Sequence, residues 1–80
     1  MLNYARLIKV IRERLLVTQS ELAQMLGVSF ATINRWENGH HEPTIKAKRK
    51  IRELCKKARI SQREAMRILS EENQKQGGDE

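Results

Sequence analysis

Asn34 and Arg35 stand side by side in the segment Phe30-Ala31-Thr32-Ile33-Asn34-Arg35-Trp36-Glu37, and both carry flat, forked hydrogen-bonding groups. Wound as a helix at about 100° per residue, the segment turns Ile33 and Trp36 to one side and Phe30, Ala31, Asn34 and Arg35 to the other. The chemistry open to that outer side is recognition, with no bond made or broken. Asn pairs with adenine and Arg with guanine through two hydrogen bonds each, at about 1–3 kcal/mol of discrimination per pair. Small and apolar groups such as Ala31 and Phe30 can approach thymine methyls. Plainer roles are open to the same residues: Phe30 packing on a neighbouring helix, Ala31 serving helix propensity, Arg35 meeting a phosphate or a nearby carboxylate. Ile33 and Trp36 belong to the core.

Other chemistries lack their parts. Cys55 is the only cysteine, which excludes an intrachain disulfide and fits a reducing compartment; among apolar neighbours it reads as a small buried hydrophobe. His40 and His41 are adjacent with no third ligand in view, so no metal and no cofactor is expected. The chain has no glycine-rich phosphate loop and no nucleophile–base arrangement, and it is not expected to be an enzyme.

The elements that must hold the outer side in place follow from periodicity and caps. Tyr4, Leu7, Ile8, Ile11 and Leu15 recur at three- and four-residue steps, which predicts a helix over about residues 3–16. Thr18 and Glu21 form a capping box that opens a second helix to about Leu26, and Gly27 ends it in the left-handed conformation. Ser29 caps the third helix, about 30–37, and Asn38-Gly39 closes it. Pro43 lies in the next loop, and Thr44 caps a fourth helix to about Ala58 with Ala47, Ile51, Leu54, Cys55 and Ala58 inward. Ser61 to Glu64 is a second capping box, opening a fifth helix to about Ser70 with Ala65, Met66, Ile68 and Leu69 as its apolar residues. The expected class is all-α, five helices around one core over residues 1–70. Residues 71–80 are expected to form an acidic, disordered tail.

The net charge of +6 is unevenly placed. Residues 1–42 carry 5 basic and 4 acidic groups, residues 43–69 carry 10 and 2, and residues 70–80 carry 1 and 4. Lys46, Lys48, Arg49, Lys50, Arg52, Lys56 and Lys57 crowd the fourth helix. That stripe is either a solvated face or a phosphate-contacting one, with Lys46 and Lys48 best placed beside the preceding loop. The longest apolar run, Leu15-Leu16-Val17, is far too short for a membrane span, and no secretory signal core is present. A cytoplasmic, nucleoid-associated protein of a bacterium or its phage is expected.

Gln19, Glu21-Leu22-Ala23, Leu26-Gly27-Val28-Ser29, Thr32-Ile33, Arg35-Trp36-Glu37-Asn38-Gly39 and Pro43-Thr44 resemble the signature of the Cro/repressor helix-turn-helix family, the xenobiotic-response-element type. The resemblance covers residues 3 to about 58 and implies a lambda-repressor-like DNA-binding domain. It implies that Gln19 binds a phosphate and braces the start of the recognition helix. It places Ser29, Phe30, Ala31, Thr32, Asn34 and Arg35 in the groove, with Phe30, Ala31 and Arg35 as base readers. Asn38, Gly39 and His40 would follow the DNA backbone, some through main-chain amides. Arg12 and Glu37 match a pair that forms a buried salt bridge in some members. The sequence departs from the family at Phe30 and Ala31, which cannot hydrogen-bond a base, and in its lysine-rich fourth helix. Direct readout is therefore sparse and leans on methyl contacts or DNA shape.

The leading function is a sequence-specific transcriptional regulator, a repressor, that binds double-stranded DNA as a homodimer. The fifth helix is a candidate dimer surface through Met66, Ile68 and Leu69, or else only completes the core. The alternative is an antitoxin or a DNA-targeting module that meets a toxin or a DNA-processing enzyme through the fifth helix or the tail.

Overall fold

The computed structural model describes residues 2–71. Its helices are α1 (Tyr4–Leu15), α2 (Gln19–Leu26), α3 (Phe30–Glu37), α4 (Ile45–Lys57) and α5 (Gln62–Leu69), and no strand occurs among the described residues. Helix α1 is the hub. It packs against α3, α4 and α5, while α2 packs against α3 and α4.

Each helix starts where a short polar side chain replaces the missing backbone acceptor. Thr18 accepts from the Glu21 N–H while the Glu21 carboxylate accepts from the Thr18 N–H, closing the expected capping box. Ser29, Thr44 and Ser61 accept from Thr32, Ala47 and Glu64 in the same way. Asn3, absent from the sequence-based reading, caps α1 by accepting from the Arg6 N–H. At Ser61 only half of the expected box forms. The Glu64 carboxylate turns away to Arg14 at 2.5 Å, tying α5 to α1 by charge.

The helix ends are less uniform. Gly27 takes φ 72, and a Cβ there would lie 3.2 Å from the Lys50 ammonium, which itself donates to the Leu26 carbonyl. Lys50 therefore places a cation on the negative end of α2, where the helix dipole favours it. Helix α1, by contrast, ends on Leu16 at φ 58, a conformation that costs a non-glycine residue roughly 1–2 kcal/mol. Leu16 is also 88% exposed, so packing does not offset that strain.

The core is built from the expected stripes: Leu7, Ile8 and Ile11 of α1, Leu22, Ala23 and Leu26 of α2, Ile33 and Trp36 of α3, and Ala47, Ile51, Leu54 and Cys55 of α4. Each buried Leu or Ile contributes about 1.5–3 kcal/mol of transfer free energy. Burial pushes the Cys55 thiol up from its ordinary pKa, which keeps it neutral and inert, in line with its reading as a small hydrophobe. The candidate dimer surface on α5 is largely removed. Ile68 is buried and Leu69 packs against the core, which leaves Met66, 62% exposed, as the apolar group facing outward.

The ends of the described chain meet. The Asn3 N–H donates to the Leu69 carbonyl at 2.8 Å, the Asn3 amide donates to the Glu71 carbonyl, and Arg6 faces the Glu71 carboxylate at 3.7 Å. Residues 72–80, most of the expected acidic tail, lie outside the described residues. Among the described residues no helix is long and apolar enough to cross a membrane, and no group of His, Cys, Asp and Glu is placed to hold a metal ion.

One charged pair is built into this apolar frame. Arg12 of α1 grips Glu37 of α3 with both arms of its guanidinium, Nε to Oε2 at 2.6 Å and Nη2 to Oε1 at 3.0 Å. The Glu37 side chain is only 3% exposed. The hydrogen bond to Glu37 raises the Arg12 pKa further above its ordinary value, so the pair stays ionised at any working pH. Gln19 completes the shell, its amide donating to Glu37 Oε1 at 3.0 Å.

Two stability predictions follow from these positions. Leu16→Gly removes the left-handed strain and should raise the melting temperature by about 4–8 °C, the shift expected for about 1 kcal/mol in a domain of this size; an unchanged or lower midpoint would count against strain at that residue. Arg12→Met strands the Glu37 charge and should cost about 3 kcal/mol in denaturant unfolding, whereas Arg12→Met with Glu37→Leu should recover most of the loss. Equal loss in the single and double variants would show that Glu37 is not held by charge pairing.

Candidate nucleic-acid interface

Helix α3 presents the side that the sequence assigned to recognition. Its inner residues Ile33, Trp36 and Glu37 are buried, and Ala31, Asn34 and Arg35 are exposed. The side chains of Asn34 and Arg35 are free of hydrogen bonds and ion pairs among the described residues, so their donors face solvent unpaired. Arg35 therefore does not meet the neighbouring carboxylate that a plainer role required. Phe30 is half exposed and lies along an open recess with Leu16 and Val17, off the core of the domain.

Four expected contacts change character. Ser29 and Thr32 are engaged with each other, hydroxyl to hydroxyl at 2.9 Å, and with the cap of α3, and Thr32 is partly covered; their first task is to start the helix. Gln19 braces the end of α3 through Glu37, and not its start, because its amide reaches the carboxylate in the last turn. The amides of Asn38, Gly39 and His40 are taken by the closing turn of α3, donating to the carbonyls of Asn34, Trp36 and Arg35. That loop can therefore reach an anion through the exposed Asn38 and His40 side chains but not through those three main-chain groups.

Lys48 is the fourth. Its ammonium sits 2.5 Å from Glu42 and 5.1 Å from the centre of the Tyr4 ring, so it ties the α3–α4 loop and α4 to the start of α1. The bond to Glu42 raises its pKa above the ordinary lysine value. Lys46, two residues earlier, is exposed and unpaired among the described residues. Sequence reasoning grouped Lys46, Lys48 and Lys50 as one stripe; the structure assigns Lys48 and Lys50 to internal partners and leaves Lys46 to solvent. The helical angle held part of that signal, since Lys48 and Lys50 flank the inner stripe of α4 on either side.

Electrostatics around α3 follow a simple pattern. The acidic residues between Thr18 and Thr44 are Glu21, Glu37 and Glu42, and each is engaged: Glu21 by the Thr18 N–H, Glu37 by Arg12 and Gln19, Glu42 by Lys48. Arg35 and Lys46 keep their charge unpaired nearby. A surface on which the carboxylates are compensated and the cations are free is suited to a polyanion.

No curated protein and no solved structure gives a match to the chain. A helix-turn-helix family model matches residues 8–51, more than half of the chain, from the second turn of α1 to the middle of α4. The matched span contains the capped pair α2–α3, the Gly27 turn and the partners that fix them. The chain therefore belongs to the Cro/repressor-type helix-turn-helix family of DNA-binding domains.

Proposed function

We propose that this protein is a sequence-specific transcriptional regulator, acting as a repressor, and that it inserts α3 into the DNA major groove. The observation that carries the reading is the pairing of two opposite faces on one short helix. The inner face is fixed by Ile33, Trp36 and the Arg12–Glu37 bridge, and the outer face offers Ala31, Asn34 and Arg35 without competing partners. A helix held this way lies within the dimensions of the major groove, about 12 Å wide.

In this reading Arg35 and Asn34 supply the hydrogen bonds to bases, and Ala31 supplies an apolar contact. Phe30 packs at the groove edge. Gln19 reaches a phosphate with the second N–H of the amide that Glu37 orients, so the phosphate contact and the recognition helix share one anchor. The side chains of Asn38 and His40 and the ammonium of Lys46 lie on the adjoining backbone. Ser29 and Thr32 act mainly by capping, Gly39 by closing the helix, and Lys48 by bracing the loop. So few base-reading groups give one domain little affinity, which favours binding as a pair on half-sites about 34–36 Å apart.

Selection of bound duplexes from a random library tests the reading. A recovered motif with two half-sites one helical turn apart is the expected result, and recovery of unenriched sequence would overturn it. Within the selected site, Arg35→Ala should lower affinity by about 1–3 kcal/mol and relax one base position. Equal loss on selected and random DNA would remove Arg35 from base reading. Lys46→Ala should weaken selected and random DNA alike and reduce the salt slope by about 1; an unchanged slope would place Lys46 outside the interface.

A further inference from the structure

Between the end of α1 and the starts of α2 and α3 lies an open recess lined by Leu16, Val17, Gln19, Ser20 and Phe30, with Arg12 at its back. Two of these residues serve neither the core nor the base-reading face. Leu16 is 88% exposed although leucine is elsewhere buried in this fold, and Phe30 is 50% exposed beside it. Leu16 also holds a left-handed backbone at φ 58 that glycine or asparagine would adopt with less strain. Strain kept on a side chain that stabilises nothing in the folded chain points to a partner outside it.

The lining says what kind of partner. It has an apolar wall, Leu16 with Phe30, and a polar side, Gln19 with Ser20, whose hydroxyl is unpaired among the described residues. It contains no carboxylate, and Arg12 adds positive potential from behind. An occupant with an anionic group next to a carbon face matches this arrangement, and a deoxyribose with its phosphate is such a unit. The recess is continuous with the face that carries the helix-turn-helix function, since Gln19 begins α2 and Phe30 begins α3.

We propose that this recess seats one deoxyribose-phosphate unit of the DNA strand flanking the groove, with Leu16 and Phe30 against the sugar and Gln19 and Ser20 toward the phosphate. The inference rests on the DNA-binding reading and extends it to a residue that touches no base. Leu16 then contributes to affinity on any duplex, because the sugar is the same at every position. Its contribution comes from apolar burial, so it leaves the salt dependence unchanged.

The test uses the full chain and a short labelled duplex of mixed sequence at low salt. Leu16→Gly and Leu16→Asn, both at ease in the left-handed conformation, should melt no lower than the parent yet bind about fivefold more weakly, with the same salt slope. Leu16→Met keeps the apolar surface and should bind within about twofold of the parent. Parent-like affinity in the Gly and Asn variants would overturn the proposal, as would a loss in the Met variant equal to theirs. If those variants keep full affinity while Arg35→Ala weakens binding to a selected site, the recess is empty on DNA and the DNA-binding reading stands. A parent chain that binds no duplex would instead overturn that reading, and the proposal with it.

Discussion

A carboxylate that is almost fully buried must be compensated, and much of this domain is arranged around that requirement. Glu37 occupies the last turn of α3, where the helix dipole is already unfavourable to a negative charge. Arg12 answers with two hydrogen bonds and Gln19 with a third. Those partners come from α1 and from the first residue of α2, so one acidic side chain ties three helices together. Hydrophobic packing gives the core most of its stability but fixes direction poorly. The forked geometry of Arg12 on Glu37 is directional, and it sets how α3 is rotated about its own axis. Rotation is the variable that decides whether Asn34 and Arg35 face outward together.

The same economy governs charge at the surface. The acidic groups between α2 and the start of α4 are each engaged by a donor, and Lys50 and Lys48 turn to internal partners. The chain's positive excess is thus sorted: some cations hold elements in place, and others, Arg35 and Lys46 among them, remain available. A count of lysines along α4 treats these as equivalent. Geometry separates them.

Much of the fold was legible because its signals are local. The caps at Thr18, Ser29, Thr44 and Ser61, the left-handed turn at Gly27 and the inner stripe of α4 depend on residues within one or two turns of each other. What the residues alone did not disclose depends on contacts between distant segments. Glu64 had a local partner available in its own capping box and took Arg14 of α1 instead. Lys50 looked like one more exposed cation until α2 ended against it. The apolar face of α5 could equally have met a second molecule or the core, and only its docking on α1 decided for Ile68 and Leu69. At the interface, residue identities on α3 were readable from helical angle, whereas the engagement of the Asn38 to His40 amides required the traced turn.

Arg12 and Arg14 are two residues apart on α1, hence about 200° apart around its axis, and they bridge to α3 and α5 respectively. The recognition helix and the last helix therefore stand on opposite flanks of the hub. Because Asn3 is bonded to both Leu69 and Glu71, the beginning and the end of the described chain leave the fold from one corner, on the α5 side. Anything joined to either end, whether a second domain or an affinity handle, departs from that corner and leaves the α3 face clear. The two ends are also near enough that a short linker can join them, which makes the domain suited to circular permutation and to insertion within a larger polypeptide.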